Sequence, residues 1–579
     1  MNAAIDMGAD AMARAWLSRF NAALATRDAA RIAECFAADG HWRDVLALSW
    51  RIETHSGAGA AAAALATAMP AHGFAIDPAR AAPRHVTRAG EPCIEALLRF
   101  ETPVGQGAGL LRIRERDDRA WVLLTTLDAI TGHDEAACAE AREEPPFERD
   151  FQGPNWLDRR RSSQRYDDRE PAVLIVGGGH AGITAAARLR ALNIDALIVD
   201  RMARVGDNWR LRYHGLKLHN SLDSNHLPYL PFPRTWPRYI PKDKIANWLE
   251  SYVEIMEIDF WTSTSFEGAT RVGDHWEARV TRADGSTRIL RPRHIIMAAS
   301  VSAVPNLPDI PTLPNFTGPV LHSSQFKDGA PWRGRPVMVF GTGTSAHDIA
   351  QDLHGNGAHV TMVQRSPTLI TNIEPSAQLY DEVFYGPGPS IEDRDIINLS
   401  FPLPVMKQSH KLITKRAKEH DREMLEGLAA AGFLLEFGED DTGWPLKYRN
   451  RGGGYYFNVG CSELIIRREI ALIQYADIAT FTPTGITMRD GTTRPAELMV
   501  LATGYKGQHH MVEQFFGAET AARVGQVWGF DDATAELRNM WCRTAQDGLW
   551  FTGGSFAQCR AYSKVLALGI QGCELGHVP

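Results

Sequence analysis

Two short glycine loops constrain this chain more than any other feature. Ala172 to Val176 (AVLIV) is an unbroken apolar run, the pattern of a strand buried on both faces of a parallel sheet. Gly177-Gly178-Gly179-His180-Ala181-Gly182 follows at once, and Ile183 to Leu192 has helical patterning. Asn193 to Asp200 (NIDALIVD) then reads as a second buried strand ending in an acid. This is GxGxxG in the strand–turn–helix–strand context that dinucleotide binding requires. Gly177 permits the tight turn, Gly179 lets a pyrophosphate approach the backbone, and Gly182 lets helix and strand pack closely. The helix start offers free N–H groups and a positive dipole end. Asp200 lies 18 residues after Gly182, near the spacing of an acid that accepts ribose hydroxyls.

The pattern recurs 164 residues later. Val337 to Phe340 (VMVF) leads into Gly341-Thr342-Gly343-Thr344-Ser345-Ala346, then a helix containing Asp348 to Leu353 and a strand His359 to Val363. At the position equivalent to Asp200 stands Gln364, with Arg365 beside it. An acid there would repel a ribose 2′-phosphate, whereas a guanidinium binds it with charge-assisted hydrogen bonds. The first loop therefore predicts a dinucleotide with a free ribose, and the second predicts NADPH. Two such sites in one chain point to electron transfer between two cofactors, with FAD plus NADPH the common pairing.

The rest of the composition narrows the class. With 579 residues the expectation is three or four domains. A net charge of −7 leaves no basic footprint for nucleic acid. The seven cysteines are odd in number and contain no CxxC pair, which argues against a disulfide framework, a zinc site or a redox dithiol. No basic segment with an apolar core opens the chain, and the alanine-rich run Gly57 to Met69 is too short to span a bilayer. These features read as a cytosolic protein with no membrane span and no metal.

From about Pro171 onward the chain resembles the flavin-containing monooxygenases of the two-dinucleotide type. Phe316-Thr-Gly318-Pro-Val-Leu-His322-Ser-Ser-Gln-Phe326 is similar to the family fingerprint FxGxxxHxxx(Y/F). The related Baeyer–Villiger group usually has Trp at the last position, here Phe326, which tilts the assignment toward the monooxygenase branch. Gly206-Asp-Asn-Trp209-Arg210 resembles the GGxW loop, and Leu216 to Pro233 with Pro241-Lys242-Asp243 resembles the stretch after it. Leu501-Ala502-Thr503-Gly504-Tyr505 resembles the ATGY link between the two units. Gly553-Gly554 with Ser563-Lys564 resembles the C-terminal flavin-contacting segment.

The resemblance implies a cycle in which NADPH reduces FAD, dioxygen adds as a flavin hydroperoxide, and one oxygen atom passes to a small organic substrate. N- or S-oxygenation is the expected chemistry. Baeyer–Villiger oxidation of a ketone and oxidative decarboxylation of a 2-oxo acid are the alternatives. A non-catalytic flavoprotein that binds or senses is the alternative from another class. By the same resemblance Asn220 is the candidate catalytic asparagine, with Asn225 its competitor. The FAD contacts would come from the first glycine loop and from Asp200, Arg201, Gly206, Trp209, His219, Thr503, Gly504 and Gly554. The NADPH contacts would come from Gly341, Gly343, Ser345, Gln364 and Arg365. His322 is expected to be structural, and Tyr380, Phe384 and Trp444 are candidate pocket residues.

Residues 10–135 have another texture. An amphipathic helix Ala11 to Leu24 and a second helix Ala29 to Phe36 precede strand-like runs at Cys93 to Glu101, Gly109 to Glu115 and Ala120 to Asp128. With Phe36-Ala-Ala-Asp39-Gly40-His41-Trp42-Arg43-Asp44, this block resembles the cone-shaped α+β fold of the SnoaL and nuclear-transport-factor superfamily. The preferred expectation is a domain that packs on the oxygenase or mediates a homodimer. Acid–base work by His41, Arg43 and Asp44 is the other option. The fold class is thus α/β: two interleaved Rossmann-like dinucleotide domains preceded by a small α+β cone. The expected map is 1–135 SnoaL-like, 136–170 a solvated charged linker, 171–315 FAD-binding, 316–495 NADPH-binding with a substrate-side insertion, and 496–579 FAD-binding again.

Overall fold

This computed structural model describes residues 7–141, 151–300 and 302–578. The N-terminal domain wraps a curved sheet around the helix Met7–Thr26. Strand order is Ile52–Ser56, Phe36–Val45, Ala120–Ile130, Gly105–Arg114, Glu91–Glu101, His72–Ile76, with Arg84–Arg88 also paired to Glu91–Glu101. Aromatics fill the centre: Trp16 stacks on Phe20 at 4.6 Å, and its indole N–H donates to the Cys35 carbonyl at 2.8 Å. The second helix is shorter than expected. It covers Ala29–Ala33, and Phe36 already opens a strand.

The expected solvated linker is partly docked. The Glu143 to Pro146 portion lies outside the described residues. Trp156–Ser163 forms a helix started by an Asn155/Asp158 capping box. Arg160 pairs with Asp259, and the Tyr166 hydroxyl, on a fully buried ring, lies 2.7 Å from Asp195 and 3.0 Å from Asp259, its one proton shared between them. Fixed acids on the neighbouring domain thus draw in arginines that composition alone assigns to solvent.

Two parallel five-stranded sheets follow. The first runs Asp259–Trp261, Ala196–Val199, Val173–Val176, His294–Met297, Leu549–Phe551. The second runs Val320–His322, Leu498–Leu501, Pro336–Phe340, His359–Gln364, Ala471–Gln474. Strand Leu549–Phe551 returns to the first sheet after the second is complete, so the two units interleave. Leu498–Leu501 pairs on both edges within the second sheet. The chain therefore leaves that sheet later than the 495/496 boundary expected from sequence. Between Asn372 and Tyr455 a mostly helical insertion, including Ile391–Leu399, Leu403–His420, Arg422–Ala430 and Gly443–Arg451, covers the space between the units. No described helix is long and apolar enough to cross a membrane.

Candidate functional site

The two glycine loops open onto one continuous cleft of about 2830 Å³. The first loop follows strand Val173–Val176, and Gly179 caps helix His180–Ala191 without a side-chain bond. Its first N–H groups are left for a ligand. Gly177 has φ +108°, a conformation that glycine alone adopts freely. A Cβ at Gly182 would lie 2.1 Å from the Gly177 carbonyl, so Gly182 faces the strand and not the cleft. Asp200 accepts from the N–H of Gly178 at 2.6 Å and of Met202 at 2.8 Å. These bonds hold its carboxylate at the cleft edge while lone pairs remain for ribose hydroxyls.

Buried polar atoms around this end lack partners among the described residues. They include Asn208 Oδ1, Trp209 Nε1 and Gln508 Oε1, all from residues that line the cleft. Gln508 is 1% exposed and is fixed by its Nε2, which donates to the Ala299 carbonyl at 2.6 Å. Unmatched buried donors and acceptors are costly, so their convergence fits a polar ligand such as a flavin ring system. Arg201, His219, Thr503, Gly504 and Gly554 also line the cleft. Gly206 does not: a Cβ there would lie 2.4 Å from the Ala246 carbonyl, so this buried glycine lets the loop press on helix Lys242–Ile255. Ser563 and Lys564 do not line it either. Ser563 Oγ bonds the Arg560 carbonyl, and Lys564 pairs with Asp128 of the N-terminal domain.

At the other end, Gly343 caps helix Thr344–Gly355, and Gly341 (φ +119°) packs against the Ala502 carbonyl. Ser345 lines the cleft. Arg365 is exposed there and forms no hydrogen bond or ion pair among the described residues. Its neighbour Gln364 is different. It is fully buried, donates to the Leu434 carbonyl at 2.9 Å and accepts from the Leu434 N–H at 2.8 Å. The adenosine contact expected of Gln364 is therefore corrected: the side chain is used in tying strand His359–Gln364 to the insertion.

Between the two ends lies Asn220. Its Nδ2 donates to Asp381 Oδ2 at 2.8 Å, leaving the amide oxygen and a second N–H for a ligand. Asn225 Nδ2 donates to the Asn220 carbonyl at 2.9 Å, so both candidate asparagines belong to one loop network. Burial pushes the Asp381 carboxyl up to about 6, against the Asn220 hydrogen bond and the Arg449 charge. Burial also draws His219 down to about 4, which keeps it neutral at pH 7. Arg449 lines the same region, its one hydrogen bond among the described residues is to Met406 Sδ at 3.2 Å, and burial lowers its pKa. Asp381 and Arg449 come from the insertion, which carries no motif, and the sequence reading missed both. Tyr380, Phe384 and Trp444 line the cleft as expected. His322 is a satisfied link: its Nε2 meets the Gly504 carbonyl at 3.0 Å and its Nδ1 meets Ser324 Oγ at 2.9 Å.

The N-terminal candidates do not form an acid–base group. Asp44 is fully buried and accepts from Leu48, Ser49 and Thr125, His41 bonds Ser56, and Arg43 reaches into the flavin-side unit.

A fold with two dinucleotide loops opening on one shared cleft defines a two-dinucleotide oxidoreductase. A sequence-family profile described as pyridine nucleotide-disulphide oxidoreductase matches residues 174–381. The chain is similar to indole-3-pyruvate monooxygenase YUCCA1 of Oryza sativa subsp. japonica, 29% identical over 362 residues, covering 60% of this chain and 80% of the relative. Its fold is similar to that of a cyclohexanone monooxygenase mutant from Rhodococcus sp. Phi1 bound to NADP+, with TM-score 0.52 and 17% identity over 70% of this chain and 86% of that one. It is also similar to OTEMO in complex with FAD and NADP, with TM-score 0.51 and 16% identity over 70% and 87%. The relatives and fold neighbours named here are monooxygenases, in keeping with the resemblance of the sequence to the flavin-containing monooxygenases.

Proposed function

We propose that this enzyme holds FAD at the Gly177–Gly182 loop and NADPH at the Gly341–Ala346 loop, and places one oxygen atom of dioxygen into a small organic substrate. The observation that carries this is the single cleft shared by both loops and Asn220. Bound FAD and NADPH supply the hydride transfer and the activation of dioxygen. The chain's own work is binding, orientation and exclusion of water. The two helix starts take the pyrophosphates, Asp200 the flavin-side ribose, and Arg365 the 2′-phosphate. Asp381 fixes the Asn220 amide so that its free oxygen and N–H face the reacting groups. N- or S-oxygenation remains the first reading of the substrate chemistry. A second reading, oxidation of a 2-oxo acid, is favoured by Arg449, because an unpaired guanidinium suits a carboxylate; the rice relative carries such a substrate in its name. The N-terminal domain is read as a SnoaL-like scaffold.

The test begins with the purified protein, which should be yellow and oxidise NADPH. Arg365→Ala should raise KM for NADPH at least tenfold and leave KM for NADH nearly unchanged. A colourless protein inert to NADPH overturns the function, and equal effects on the two nucleotides overturn the role of Arg365. Methyl phenyl sulfide against phenylpyruvate, scored by product mass, separates the two substrate readings.

A further inference from the structure

Four residues of the N-terminal domain, Thr87 to Gly90, line the same cleft as the glycine loops. They form the tip of the hairpin between strands Arg84–Arg88 and Glu91–Glu101, where Arg88 pairs with Glu91. The two turn residues, Ala89 at φ +50° and Gly90 at φ +82°, are both left-handed, the geometry of a two-residue type I′ turn. Asn or Gly is the usual first residue of such a turn, and alanine there is sterically strained. What alanine supplies is a small apolar plug. Ala89 packs in a cluster with Trp121, Val122, Val405 and Phe401. Its carbonyl accepts from Gln408 Nε2 at 2.9 Å. A Cβ at Gly90 would lie only 3.2 Å from Leu412 Cδ1. Val405, Gln408 and Leu412 belong to helix Leu403–His420, which itself lines the cleft through Met406, Ser409, His410 and Ile413.

The hairpin is held rigidly behind its tip. Glu95, 3% exposed, takes Arg84 at 2.7 Å, Arg88 at 2.9 Å and Arg112 at 3.0 Å. The Arg112 guanidinium stacks 4.2 Å above the Phe401 ring and reaches the Ile397 carbonyl. Arg80 pairs with Asp393 of the insertion at 3.1 Å.

We infer that the N-terminal domain is part of the substrate site: its hairpin tip, Thr87 to Gly90, is the outer wall of the insertion end of the cleft, sets the size of substrate admitted, and seals that end from water. The inference rests on the monooxygenase reading. Thr87 is exposed at this wall. Thr87→Trp should raise KM for methyl 2-naphthyl sulfide at least tenfold over that for methyl phenyl sulfide, with flavin content and KM for NADPH unchanged. Gln408→Ala frees the tip and should increase hydrogen peroxide released per NADPH, without substrate, at least threefold. It should also speed amide hydrogen exchange in helix Leu403–His420. The peroxide measurement needs no substrate, so it decides the matter even if neither sulfide is oxidised. A flavin-loaded, NADPH-oxidising enzyme whose Gln408→Ala variant matches wild type in peroxide yield overturns the wall. If Gln408→Ala does not fold, an unchanged KM ratio, or wild-type peroxide yield in Thr87→Trp where no sulfide is oxidised, overturns it. Loss of flavin and NADPH oxidation from the wild type overturns the underlying function instead.

Discussion

Asp381 holds Asn220 through one hydrogen bond, and its carboxyl titrates near 6 where an ordinary aspartate titrates near 3.8. Between those two values the folded chain binds more protons at this residue than the unfolded chain does. Its contribution to stability therefore declines as pH rises through that window. The same titration should reach the cofactor. We expect flavin absorbance to shift with a one-proton transition centred near pH 6, and Asp381→Asn, which keeps an acceptor for Asn220, to abolish it. A transition surviving in Asp381→Asn would assign it to another group. Neighbouring residues 364 and 365 show how far side-chain identity carries. Gln364 ends strand His359–Gln364 with its amide buried against Leu434, whereas Arg365 lies just past the strand end at the cleft. Residue type made both attractive as ligands, while their surroundings left only one of them at the cleft. Nothing comparable marked Asp381 or Arg449, because a lone acid or arginine in a helical stretch has no spacing to betray it.

The strand–loop–helix units were legible because each glycine answers a local steric demand. Those demands differ between the loops, and substitution should separate them. Gly182→Ala puts a methyl 2.1 Å from a backbone carbonyl and should destroy the first loop, giving flavin-free, poorly folded protein. Gly343→Ala meets no protein atom nearer than 3.8 Å. It should leave the thermal midpoint nearly unchanged and raise KM for NADPH at least tenfold, since only the nucleotide's approach requires that glycine. Circular dichroism melts with NADPH titration check both. The docked helix Trp156–Ser163 could not be anticipated from its composition. Its Arg160 is held by Asp259, which becomes a neighbour only once the sheet exists.

Across the whole molecule the N-terminal domain is joined to the flavin-side unit by contacts that no sequence window contains. Arg43 makes a two-pronged pair with Glu536, at 2.7 Å on both oxygens, and Thr54 adds a third bond to the same carboxylate. The pair is almost fully buried. Removing one partner leaves the other charge stranded, at a cost of about 3–5 kcal/mol, whereas replacing both with apolar groups is often neutral. Arg43→Ala should thus lower the first thermal transition by several degrees, and Arg43→Met with Glu536→Leu should recover most of the loss in calorimetry.

The two chain crossings between the dinucleotide units lie side by side. Val304 pairs with Lys506 and Pro305 with Tyr505, while Thr503 Oγ1 donates to the Asn306 carbonyl at 2.6 Å. Two adjacent links make a hinge pin, leaving rotation about a single line. The buried Arg560–Asp395 pair, at 2.7 Å, separately fastens the insertion to the last helix. Three attachments of this kind, like bolts on a plate, resist rotation about the pin, so any swing of one half against the other has to break the Arg560–Asp395 pair first.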